Sequence, residues 1–258
     1  MEGMRVTDCV NRMKWSFVKS RRIFVLLGIF SLAMGILEAI VVVYLRAIYY
    51  PQGFEFPLSS ISPQMLYVEF LREIATIIML VTLAAIAGKN SLQKLSYFLY
   101  SFAIWDISYY IWLKQLLNWP PSFLTWDLLF LIPVAWIAPV LAPIVCSLTM
   151  ILLAGCLVCL QERGYAVKIK FPEWGSMMLG AVIIFCTFIW DYSKIIVQGG
   201  FLSSFWTLAQ NDHFQQIISQ YKPTEYNWYL FALGEICILS PLALIVKRTK
   251  TTYSETPI

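Results

Sequence analysis

IFVLLGIFSLAMGILEAIVVVYL, residues 23–45, carries a single charged side chain, Glu38, in an otherwise apolar run. About 20 apolar residues are enough for a helix to cross the hydrocarbon core of a bilayer. The run is too long for the core of a secretory leader, and it contains a carboxylate, so it predicts an uncleaved first span. Six basic residues precede it: Arg5, Arg12, Lys14, Lys19, Arg21 and Arg22.

The rest of the chain has the same solvent. Of its 258 residues, 59% are hydrophobic and 13% charged, and the mean hydropathy is +0.70. Soluble domains carry about 25% charged residues. The reading is an all-α membrane protein, a bundle of about six transmembrane helices, with spans near 23–45, 67–87, 95–113, 139–160, 175–197 and 228–246. Residues 1–22 form a basic N-terminal segment, 23–250 a single transmembrane domain and 251–258 a tail. The net charge of +4 is spread over short loops at helix ends, which argues for membrane topology and against nucleic-acid binding.

Two stretches depart from plain spans. From Leu128 to Leu160 the chain is apolar for longer than one span needs, and Pro133, Pro139 and Pro143 divide it. This predicts a short re-entrant or interfacial piece over 128–137, tolerated only where protein or water satisfies its backbone. In the last long loop, Asp212 can cap a short helix in which Phe214, Ile217, Ile218 and Tyr221 make an amphipathic surface face.

Threading six spans places 14 of the 19 Lys and Arg on one side and leaves Arg46, Arg72, Lys114, Lys194 and Lys222 on the other. Both termini are therefore expected in the cytoplasm. An outer aromatic belt of Tyr44, Tyr49, Tyr50, Trp112, Trp119, Trp126, Tyr192, Trp206, Trp228 and Tyr229 agrees. The expected location is the cytoplasmic membrane of a prokaryote. The expected partners are the lipid bilayer and either further copies of the chain or a membrane complex.

Glu38, Glu73, Asp106, Asp191 and Glu235 each fall about 10 Å below the outer helix ends, counted at 1.5 Å per residue. A carboxylate deep in a bilayer costs roughly 2.5 kcal/mol or more on insertion scales, so this layer is the candidate site. Glu69 and Asp127 lie near it. Arg72 can pair with Glu69 one turn away. Asp106, Tyr110 and Lys114 follow at four-residue steps and predict a ladder to the outer surface, and Asp191 stands three residues from Lys194. Seven acids face Arg46, Arg72, Lys114 and Lys194, which leaves three without a basic partner. Glu38 and Glu235, with none on their own helix face, are the least explained. The alternative is a set of separate ion pairs that lock the bundle. Ile104-Trp105-Asp106 and Ile189-Trp190-Asp191, each followed two residues later by Ser, hint at a parallel repeat.

Catalytic chemistry has little to stand on. His213 is the lone histidine, and nucleotide-binding, metalloprotease and nucleophile-elbow motifs are absent. Cys9, Cys146, Cys156, Cys159, Cys186 and Cys237 read as small packing residues, the Cys156-x-x-Cys159 pair included. No cofactor is predicted, although carboxylates alone could hold a proton or a hard divalent cation. Two readings follow. One is proton- or cation-coupled transport of a small solute or ion. The other is a non-catalytic subunit or assembly factor of a larger membrane complex. A carboxylate-using membrane enzyme is a weaker third, and the role of the chain reads as non-enzymatic.

The orientation predicts that a cysteine placed at Gln52 reacts with a membrane-impermeant maleimide on intact cells, whereas one at Lys89 reacts only after the membrane is opened. The reverse labelling pattern would invert the topology.

Overall fold

The computed structural model describes the backbone of residues 2–59 and 61–254 and the side chains of 20–59, 61–203, 207–208 and 210–249. Cys9, the first four basic residues, the Trp206 side chain and the C-terminal tail therefore lie outside the described residues or side chains. Seven α-helices follow one another: α1 Glu2–Tyr49, α2 Pro63–Ala87, α3 Ser91–Leu117, α4 Leu141–Glu162, α5 Phe171–Gln198, α6 Asp212–Ile218 and α7 Trp228–Ser254. A 3-10 helix, Phe201–Gln210, precedes α6. A two-stranded antiparallel hairpin, β1 Trp126–Phe130 and β2 Trp136–Pro139, stands between α3 and α4.

Five helices are long and apolar enough to cross a membrane: α2, α4, α5, and the parts of α1 and α7 over 20–49 and 228–249. The sixth expected span, α3, is 27 residues long but richer in Ser, Tyr and Trp. Its position accounts for this. It packs against α1, α2 and α4, so much of its surface faces protein and can be polar. Clusters joining Leu27 to Tyr97, Met34 to Trp105 and Ala39 to Tyr110 climb both helices together, so α3 runs parallel to α1.

Small residues set that contact. Ser31, Gly35 and Ala39 recur at four-residue steps on α1, and Ser31 and Ala39 are fully buried. This is the close-approach pattern of membrane helices, where packing rather than hydrophobicity drives association. A Cβ at Gly35 would lie 2.0 Å from the Ser108 hydroxyl and 3.0 Å from the Trp105 carbonyl. A second glycine crossing joins α5 to α7, since a Cβ at Gly180 would lie 2.5 Å from the Gly234 carbonyl. At the basic end of this pair, Arg248 bonds the Glu173 carboxylate. At the same end of the first group, Ser20 donates to Glu162 at 2.7 Å.

The proline-divided stretch is a hairpin set into the bundle. β1 starts against α1 and α3, where Asp127 meets Arg46 and Tyr110. At its far end Phe130 packs on the Met34, Leu80 and Trp105 cluster. The turn places Val134 against Ile196, Phe201 and Phe214. β2 returns over α5, with Trp136 against Phe185 and Phe188, and leads directly into α4. The first N–H groups of α4 are satisfied by the preceding loop, Val140 to the Thr125 carbonyl and Leu141 to that of Phe123.

The amphipathic helix after residue 211 is present but differs in two respects. Its cap is Asn211, whose side chain accepts from the Phe214 amide at 3.0 Å, rather than Asp212. Its apolar residues Phe214 and Ile218 are buried against α5, the 3-10 helix and the hairpin turn, so that face is spent on protein contact.

Gly35→Leu should cost about 3 kcal/mol or more by overpacking α1 against α3, read as a large loss of thermal stability in detergent. Gly155→Leu, where a Cβ meets open space, should leave stability unchanged.

Candidate functional site

A cavity of about 120 Å³ opens between α1, α2, α3 and β1. One face of α1 supplies Glu38, Val42 and Arg46 at four-residue steps, and Tyr50 follows just past its end. α2 supplies Glu69, Arg72 and Glu73, α3 supplies Trp105, Asp106 and Tyr109, and β1 supplies Asp127 and its neighbours. Five carboxylates and two guanidiniums thus share one space. Glu38 lies 11 residues from Tyr49, Glu73 10 from Pro63 and Asp106 11 from Leu117. At 1.5 Å per residue, all three sit about 15 Å inside their helix ends.

The two arginines are fixed differently. Arg72 bridges helices: its Nε donates to Glu69 at 2.8 Å within α2, and its Nη1 donates to Glu38 of α1. Glu38 therefore has a basic partner, supplied by the neighbouring helix. Arg46 donates through Nη2 to Asp127 at 3.3 Å, and its guanidinium lies 3.8 Å from the Trp119 ring centre and 4.4 Å from that of Phe54. A buried guanidinium between aromatic faces gains cation–π attraction that replaces part of its lost hydration.

Of the five cavity carboxylates, the two without an ion-pair partner among the described residues are Glu73 and Asp106. Both oxygens of Glu73 lie 3.0 Å from the Leu131 amide, just past the end of β1. Asp106 accepts from the Ser147 hydroxyl of α4 at 2.8 Å. Two donors at the cavity, Trp105 Nε1 and Arg46 Nη1, are buried with no partner among the described residues.

Other predicted members lie elsewhere. Tyr110 is buried and donates to Asp127 at 3.0 Å rather than linking Asp106 to Lys114. Lys114 turns to the carbonyls of Asn118 and Pro120 at 3.3 and 3.1 Å, closing the end of α3. The ladder does not form because helix-end carbonyls attract a cation. Asp191 meets Tyr221 beyond α6, and burial first, with that contact, pushes the Tyr221 hydroxyl well up, leaving it a donor. Glu235 lines a separate cavity among α3, α4, α5 and α7. The matched tripeptides also diverge, with Trp105 buried and Trp190 59% exposed. Among the described residues no three His, Cys, Asp or Glu side chains are grouped to hold a metal ion.

Composition sets Arg46 among the four bases that face the acids and Trp119 in the outer aromatic belt, and neither placement brings the two together. The four-residue spacing of Glu38, Val42, Arg46 and Tyr50 was the available signal. Nothing local marks Trp119, whose role depends on a loop folding back over α1.

Glu73→Ala should lower stability by about 1–3 kcal/mol by leaving the Leu131 amide unsatisfied. Glu73→Gln, which keeps an acceptor, should cost less. Thermal unfolding in detergent reads both, and equal losses would reject the backbone role. No protein-family model, curated protein or solved structure matches this chain.

Proposed function

We propose that this multi-pass membrane protein couples proton movement to transport of a small solute, with Glu73 and Asp106 as its proton sites. The observation that carries this reading is their convergence on one intramembrane cavity without an ion-pair partner among the described residues. An acid in that position takes up a proton or a cation, since an unpaired anion at membrane depth is costly. Protons fit better than a divalent metal, because the carboxylates are spread around the cavity and tied to Arg72, Arg46, Leu131 and Ser147 rather than grouped as ligands. The neighbouring Glu38–Arg72–Glu69 and Arg46–Asp127 pairs set the field in which those protons move. With the termini in the cytoplasm, the cavity faces outward.

The chain reconstituted in liposomes under an imposed pH gradient should acidify the lumen, followed with a trapped pH dye. The Glu73→Gln, Asp106→Asn double variant should slow this at least tenfold while eluting as a folded species. A normal rate in that variant would reject the proposal. Absence of flux together with a stoichiometric co-purifying partner would favour the subunit reading.

A further inference from the structure

The second cavity holds about 330 Å³ among α3, α4, α5 and α7. Its wall is almost wholly apolar and aromatic, with Trp136, Trp174, Phe185 and Phe188 prominent, and no Lys, Arg or His lines it. The one carboxylate in this wall is Glu235, 7% exposed. Its Oε2 accepts from the Thr149 hydroxyl at 2.7 Å, and the Cys146 thiol lies beside the same group. Its Oε1 is buried and has no hydrogen-bond partner among the described residues. An unpartnered acceptor beside an apolar cavity asks for a donor, which an occupant of the cavity can bring once the Glu235 side chain turns to it.

We propose that this cavity binds a lipophilic ammonium, its apolar body among the aromatic side chains and one N–H donating to Glu235 Oε1. An acyl chain alone would fill the volume and leave Oε1 unsatisfied. A neutral hydroxyl would satisfy Oε1 but bring no cation to a carboxylate that has no ion-pair partner among the described residues. An ammonium does both, and aromatic faces attract it further. This site shares no lining residue with the carboxylate cavity and stands without the proton reading.

The test uses the full chain in phosphatidylcholine nanodiscs, titrated with 4-phenylbutylammonium, 4-phenylbutanol and 4-phenylbutyltrimethylammonium, with empty nanodiscs subtracted. The primary ammonium should bind, the other two at least tenfold more weakly. Glu235→Gln, which keeps the Thr149 bond, should weaken ammonium binding at least tenfold. Ala181→Trp, at an exposed position on the cavity wall, should block it and keeps the test valid if the first variant misfolds. Glu73→Gln with Asp106→Asn should leave it unchanged, so the two proposals fail separately. Equal binding of the alcohol or the quaternary ammonium, unchanged binding in Ala181→Trp, or a retained phospholipid that the ammonium does not displace would overturn the inference.

Discussion

Strand backbone set among helices apolar enough to span a membrane presents N–H and C=O groups that hydrocarbon cannot satisfy, and the contact between the Leu131 amide and the Glu73 carboxylate answers that demand where the ladder ends. The pairing of β1 with β2 satisfies the groups that face across the hairpin, and the Trp136 indole donates to the Ile132 carbonyl at 2.8 Å in the turn. Held across its ladder and at the end of β1, the hairpin sits against α1, α3 and α5 and walls off a polar space. Glu73 therefore has two roles. It holds the hairpin that encloses the cavity, and it lines that cavity.

The apolar helices were legible because their composition alone identifies their solvent. α3 was legible as a segment, but its polarity makes sense only once its neighbours are known, since a shielded helix can carry Ser, Tyr and Asp that a lipid-facing one could not. The hairpin was not legible. An apolar run broken by Pro133 and Pro139 reads equally as helix or strand, and the pairing of Asp127 with Ala138 arises from a turn packed on distant residues. Among the described residues the strand departure from an all-α chain is confined to these nine.

Residue counting gives height along a helix but not direction around the bundle axis, and the placement of the acids follows that division. Glu38, Glu73 and Asp106 share both height and direction and meet. Glu235 was assigned a similar height but lies in another cavity. The same limit hid the partner of Glu38: Arg72 lies near it across a helix boundary, where spacing within one helix carries no information. Lys114 shows the converse, because four-residue spacing from Tyr110 placed it on the right face while the end of its own helix drew it away.

The helix α4 joins the two cavities. Ser147 donates to Asp106 in one, and Thr149, two residues on, donates to Glu235 in the other. Residues two apart on a helix point to nearly opposite sides at 3.6 residues per turn, so α4 is a wedge with one hydroxyl aimed at each acid. Its first turn continues from β2, whose partner strand leads to the amide that Glu73 holds. Here one helix touches both acids and one hairpin fixes where that helix begins.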